Sequence, residues 1–328
     1  MYTRAIFRPS AVRREGSPWT GIGTVLQREI ADNLLSVRMR LLEVLVILTG
    51  TAAVYAAIGE IKNAVSEDPF VFLRIFTVAR EPLPSFITFL GFLIPIVAIS
   101  LAFDSINGEF NRRTISRVLA QPIYRDALLF GKFAAGLATI AIFLTALWLF
   151  LMGLGILLLG VPPSGEEIVR GLGFLLAAIA YGGVWLALAL AFSIVFRAPA
   201  TSALAALSLW LLFAVFWSMI VPLVTEVVVP IDPFDPRTEL QAINVAQGLN
   251  RLSPNTLFAE TTLALLNPGT RTLGPVFVFQ LQGAVLGAPL PVGQSFLLIW
   301  PQLTGLIAGV VVLFTIGYVL FQRQEIRA

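Results

Sequence analysis

The sequence predicts an all-α, polytopic membrane protein with six transmembrane helices. Three observations carry that expectation. Hydrophobic residues make up 57% of the chain and charged residues only 12%, whereas a soluble domain carries roughly 25% charged residues. Six apolar runs follow one another along the chain, each comparable with the roughly 20 helical residues that cross a bilayer core. Runs two to six contain no Asp, Glu, Lys or Arg.

The elements follow in order. Residues 1–19 are polar and Arg-rich, with Pro9, Ser10, Gly16, Ser17 and Pro18, and read as a flexible cytoplasmic tail without the apolar core of a secretory signal. Residues 20–40 place Ile22, Leu26, Ile30, Leu34 and Val37 every three or four positions, with Arg28, Asp32, Asn33 and Arg38 between them. That is the pattern of an amphipathic helix lying along the membrane face. Apolar runs occupy 44–58, 86–103, 133–160, 172–196 and 200–224, so residues 41–225 hold spans one to five, with a charged loop at 104–132. Only Arg197, Ala198 and Pro199 separate runs four and five, which predicts an antiparallel pair joined by a tight turn. Gly153 with Gly155, and Gly182 with Gly183, are small enough for close helix approach.

The segment 226–295 is extracytoplasmic in this reading and has structure of its own. Asp232-Pro233 and Asp235-Pro236 mark turns. Leu240, Ile243, Ala246, Leu249 and Leu252 trace an amphipathic helix that packs on the outer mouth of the bundle. Ser253-Pro254 then predicts an N-cap with Pro at the first helical position, opening a second short helix that ends near Asn267. Run six covers 296–321, before a tail at 322–328. With the N-terminus inside, the inner segments hold fifteen Lys and Arg against seven outside. The positive-inside rule therefore places both termini in the cytoplasm of a cell that carries the chain in its inner or plasma membrane.

What is missing narrows the chemistry. Without Cys or His there is no thiolate, no imidazole metal site and no His-dependent triad. No metal-ligand or catalytic set is assigned. Gly131-Lys132 lacks the upstream Gly and the following Ser or Thr of a phosphate-binding loop. No basic stripe with interleaved aromatics points to nucleic acid. Spans without titratable groups argue against proton- or sodium-coupled transport. Energy then has to enter from outside the chain.

The charged loop is the natural port of entry. It runs from Asp104 through Glu109, Phe110, Arg112, Arg113, Thr114, Arg117, Pro122 and Arg125 to Gly131-Lys132. Ile115, Val118 and Leu119 share one helical face, and Arg113 and Arg117 form an i,i+4 pair on another. An ordinary positive-inside loop would carry similar charge. However, Glu109, Thr114, Leu119, Pro122, Arg125, Gly131 and Lys132, in this order, resemble the permease family of type-2 ABC exporters. Arg113 departs from the Gly often found before the Thr. The resemblance extends over 21–321 and includes the order of parts.

This resemblance implies a membrane subunit with no ATPase activity of its own. Two permeases would pair, as a homodimer, above two ATP-binding subunits that hold the ATP and Mg. Glu109, Phe110, Arg112, Arg113, Thr114, Arg117 and Arg125 would form the ATPase-coupling region, and Arg28, Asp32 and Arg38 the connecting helix beside it. Cargo would pass between the copies along spans two and five. In span five, Trp210, Phe213 and Trp217 recur at helical spacing beside Phe216, an aromatic stripe that either lines a path for apolar or amphipathic cargo or packs on lipid and neighbouring helices. A mechanotransmitting subunit acting on an envelope partner, and a secondary transporter, are the alternative readings.

Overall fold

The computed structural model describes residues 21–63, 70–79, 85–112, 124–230, 234–273 and 289–324. Every regular element among them is helical, and six helices are long and apolar enough to cross a membrane. The chain is an all-α polytopic membrane protein.

The amphipathic segment forms α1 (Ile22–Leu35), and the first span is α2 (Val37–Asn63). They break at Ser36, whose extended backbone ends α1. The Ser36 hydroxyl donates to the Asn33 carbonyl and accepts from the Met39 amide, so one side chain closes one helix and caps the next. The predicted connecting helix at 20–40 is therefore shorter, and Arg38 stands on the first turn of α2. Span one is also longer than the apolar run at 44–58, because α2 carries Glu43 and reaches past Lys62.

A short helix that periodicity does not reveal, α3 (Val71–Thr77), follows and buries Phe72, Leu73, Ile75 and Phe76. Span two is α4 (Phe86–Ala102), and a turn then leads into α5 (Asn107–Asn111). Spans three and four are α6 (Arg125–Leu159) and α7 (Gly165–Val195). The predicted tight turn at Arg197 separates α7 from α8 (Pro199–Leu211), with Pro199 in the first helical turn. Span five continues through a π-helical segment, Leu212–Phe216, into α9 (Trp217–Val228). The hairpin helices are α10 (Pro236–Asn250) and α11 (Pro254–Leu266), and α12 (Val292–Arg323) is the sixth span.

Helix α7 is the axis of the bundle. It packs against α4, α6, α8, α11 and α12, and 83% of its most apolar window is buried, against 11% for α12. Alanine and glycine make this possible by letting neighbouring backbones close in. A Cβ on Gly136 of α6 would lie 2.9 Å from Leu186 of α7, and one on Gly182 of α7 would lie 3.2 Å from both Ile140 and Ile94. Gly155 is also tightly faced, by Phe72 and Ile75, whereas Gly153 meets nothing within 4 Å.

The helices between spans five and six do more than rest on the mouth of the bundle. Trp217, in the middle of span five, donates its indole N–H to the Leu249 carbonyl near the end of α10. Phe258, early in α11, stacks on Tyr181 at mid-α7 with centroids 4.5 Å apart. The carbonyl of Leu265, late in α11, meets Arg170 near the start of α7. Helices α10 and α11 therefore descend along α9 and return along α7. Ser253 stands before Pro254 as predicted, but its hydroxyl makes no capping bond.

These close approaches predict opposite results at two glycines of one helix. Gly136→Leu overpacks the α6–α7 contact by about 1–3 kcal/mol or more and should sharply reduce the yield of monodisperse protein. Gly153→Leu should purify as wild type. Size-exclusion profiles and detergent melting curves of the two variants check this.

Candidate coupling site

Span three begins with a cation that has little access to water. Gly131 lets α1 press against α6, since a Cβ there would lie 2.7 Å from Val25 Cγ1. This approach covers Lys132, whose side chain is only 5% exposed. Its Nζ lies 2.6 Å from Glu29 Oε1 on α1 and 2.8 Å from Glu109 Oε1 on α5. A buried ammonium requires such partners, because desolvation without them costs several kcal/mol. Nearby, Asn33 donates to the Thr139 hydroxyl at 3.4 Å, adding a second polar tie between α1 and α6.

The turn before α5 is held from two further sides. Arg38 pairs with Asp104 at 3.0 Å and lies over the Phe103 ring, 5.1 Å from its centroid. Ser193, at the end of α7, accepts from the amides of Ile106 and Asn107 at 2.9 and 3.2 Å. The side-chain amides of Asn107 and Asn111 donate to the carbonyls of Phe196 and Arg197. These bonds satisfy backbone groups at both helix ends, which have no partners within their own helices. The turn and the short α5 are thus tied to α2, α6 and the end of α7, and α5 shares Lys132 with α1. Between α1 and α5 lies a polar cleft of about 250 Å³ whose walls include Glu29, Asp32, Arg38, Asp104 and Arg112.

The structure brings several of the expected coupling residues to this end of the bundle. Glu109 faces Lys132, Phe110 packs against the core and Arg112 is exposed. Arg28 and Asp32 pair on the exposed face of α1 at 3.6 Å. Arg125 donates to the Gln324 carbonyl at 3.3 Å, joining the start of α6 to the end of α12. Arg113, Thr114 and Arg117 lie outside the described residues. Sequence reasoning assigned no role to Glu29 or to the Lys132 side chain. The available signal was a lone Lys at the entrance of an apolar span, with Glu29 lying 103 positions away in sequence.

The aromatic stripe of span five has mostly inward partners. Trp210 meets Phe92 edge-on at 5.6 Å, Phe213 lies against Trp185 and Trp217, and Trp217 is bonded to Leu249. Only Phe216 turns outward, at 47% exposure. The π-helical segment between Trp210 and Trp217 inserts the extra residue that allows both to face neighbours.

The opposite end of the bundle carries a second buried cation. Arg170 is fully buried, with Glu166 Oε1 at 2.9 Å, Ser295 Oγ at 2.9 Å and the carbonyls of Leu265 and Leu290 around it. Beside it, Glu167 completes a capping box with Ser164 and also accepts from the Phe72 amide at 2.8 Å. One carboxylate thus serves the first turns of both α7 and α3. None of these residues was singled out from the sequence, where Arg170 counted only as an outer-loop charge.

Six helices able to cross a membrane, with an amphipathic helix pinned to an interhelical loop, define a multi-pass membrane protein. Residues 24–326 match the family described as ABC-2 family transporter protein, and the chain belongs to that family. It is similar to the probable ABC transporter permease protein NosY of Pseudomonas aeruginosa, at 29% identity over 60% of this chain and 68% of the relative. It is also similar to the protein of the same name from Stutzerimonas stutzeri, at 25% identity over 76% of this chain and 82% of the relative. Membership makes it a membrane subunit that works with an ATP-binding subunit.

The Lys132 cluster predicts a specific pattern of stability. Lys132→Met leaves two facing carboxylates and should lower stability by about 3 kcal/mol. Adding Glu29→Gln and Glu109→Gln should recover most of that loss. Thermal unfolding in detergent of the single and triple variants checks the pattern.

Proposed function

We propose that this chain is the membrane-spanning subunit of an ATP-driven exporter. Two copies pair in the inner or plasma membrane, with both termini in the cytoplasm, above two separate ATPase subunits that bind ATP and Mg. The carrying observation is the Lys132 cluster, which joins the amphipathic helix, the charged loop and span three into one body. A push delivered at the loop would then reach the spans without loss in a flexible joint. Glu109, Phe110, Arg112, Arg113, Thr114, Arg117 and Arg125 form the coupling region in this reading, with Arg28, Asp32 and Arg38 flanking it. Exposed Arg112 and the pair Arg113 and Arg117 supply charge to the ATPase, whereas Glu109 is directed inward and has a positioning role.

Cargo is apolar or amphipathic in this proposal, because the apolar runs of spans two to six hold no charged side chain that would pair with an ion. Phe216 is the member of the aromatic stripe that faces a path between two copies. Trp210, Phe213 and Trp217 shape that wall from behind.

A second reading, mechanotransmission to an envelope partner, has its own support. Arg251 of the α10–α11 hairpin pairs with Glu260 at 3.0 Å, and Gln302 of the last span donates to the same carboxylate at 2.8 Å. A tilt of α12 would therefore carry the outer segment with it, whether or not anything crosses.

Co-expression with the ATPase subunit and reconstitution into vesicles separate these readings. An exporter moves cargo in step with ATP hydrolysis, while a mechanotransmitter hydrolyses ATP with no cargo movement. Failure to co-purify with any ATPase subunit would sink both. Arg112→Glu with Arg113→Glu should reduce stimulated ATP hydrolysis at least tenfold while the permease still inserts and folds. Unchanged hydrolysis in that variant would remove the loop from the coupling path.

A further inference from the structure

Span two carries a proline in its interior, Pro95. Proline has no N–H, so the carbonyl four residues earlier, that of Gly91, loses its donor within the helix. Hydrocarbon offers no water in exchange, and a spanning helix tolerates proline where a neighbour supplies the missing bond. The neighbour here is Tyr181 of α7, whose hydroxyl lies 3.0 Å from the Gly91 carbonyl. The same hydroxyl lies 2.7 Å from Asn255 Oδ1 in the first turn of α11. It holds one proton for two acceptors, so a bond to Asn255 leaves Gly91 without one.

The two halves of α4 are packed unequally around that proline. From Pro95 onward, Pro95, Val97, Ala98, Ile99, Leu101 and Ala102 are buried, whereas before it only Phe86, Leu90 and Ile94 are. The second half also continues into the turn that Arg38 and Ser193 hold. Beside the first half lies an open cavity of about 470 Å³, walled by Thr88, Gly91 and Phe92 on one side and by Asn255 and Phe258 on another. A Cβ on Gly91 would meet nothing within 4 Å. The first half therefore has room to move, while the second is clamped.

We propose that span two is hinged at Pro95 and that Tyr181 is its latch, set by the position of α11. With the Tyr181 proton on the Gly91 carbonyl, α4 is held as one piece. With that proton on Asn255, the carbonyl has no donor and the first half of the span bends. Asn255 and Phe258 stand three residues apart on one face of α11, and Phe258 stacks on the Tyr181 ring at 4.5 Å. A shift of α11 thus moves the ring and its competing acceptor together. A change of about 20°, the scale of a proline kink, acts over roughly 13 Å of helix from Phe86 to Pro95 at 1.5 Å per residue. It displaces the start of the span by about 4–5 Å. The latch needs neither cargo nor the ATP-binding subunit, so it does not depend on export or mechanotransmission.

The chain has no cysteine, so paired spin labels go only where cysteines are introduced. Thr88→Cys on the first half of α4 and Val169→Cys on α7 are both at exposed positions. Full-length protein in nanodiscs, diluted with unlabelled chain, reports the distance within one copy. Tyr181→Phe keeps the stacked ring and removes the proton. It should shift or broaden that distance by at least about 3 Å, most of the displacement of a proline kink. Pro95→Ala and Pro95→Val each return an N–H to the Gly91 carbonyl, so adding Tyr181→Phe to either should leave the distance unchanged. Asn255→Leu removes the competing acceptor and should keep the distribution at least as narrow as in the wild type. An unchanged distance in folded Tyr181→Phe would overturn the latch. A shift of equal size in the Pro95 backgrounds would mean loosened packing in place of a hinge. Broadening by Asn255→Leu to the extent of Tyr181→Phe would contradict the competition for the proton.

Discussion

A helical bundle in a bilayer gains little from hiding apolar side chains, because lipid tails solvate them as well as a neighbouring helix does. A single arrangement must therefore come from shape and from a few polar contacts that have no alternative partner in hydrocarbon. This chain depends on both. Shape is concentrated on α7, where small residues let α4, α6 and α12 close around one axis. Polar specificity is concentrated at two buried cations, Lys132 at one end of the bundle and Arg170 at the other. Each collects carboxylates or carbonyls from separate parts of the chain, so each is satisfied only in the assembled fold.

The two clusters differ in ways that suit their positions. Arg170 uses a planar, multi-donor group to gather two carbonyls, a hydroxyl and a carboxylate, which fixes the orientation of three helix ends. Lys132 is a compact charge held between two carboxylates from elements that are themselves short or amphipathic. The first arrangement closes a structure, and the second joins a spanning helix to the amphipathic helix and the charged loop. A polar cleft of about 250 Å³ adjoins that junction.

Much of the fold was legible because its signals are local. Apolar runs and the Arg197-Ala198-Pro199 break give the spans and their order directly, helical spacing gives α1 and α10, and Ser253-Pro254 opens α11. The remainder depends on partners distant in sequence. Helix α3 is too short to show a period, and its burial rests on Glu167, ninety-five positions beyond Phe72. Glu29 lies on the polar face of α1 and reads as solvated until Lys132 is placed beside it. The amphipathic stripe of α10 predicts a buried face but not the depth to which it descends; that is set by Trp217 and Leu249. Glu109 and Arg112, three positions apart in one charged loop, have opposite fates because the carboxylate of Glu109 pairs with the buried ammonium while Arg112 is exposed.

The burial of α7 along its length also has a mechanical consequence. A continuous helix of 31 residues is about 46 Å long at 1.5 Å per residue. It is bonded to α5 through Ser193 at one end and anchored through Arg170 at the other. Such an element acts as a stiff lever with its fulcrum in the close-packed middle. Tilting it by about 5° would displace one end relative to the other by about 4 Å, within the scale of helix shifts that switch other assemblies. A signal sent this way would travel as geometry rather than as a chain of side-chain rearrangements, and softening the middle of the rod would cost more than altering either tip.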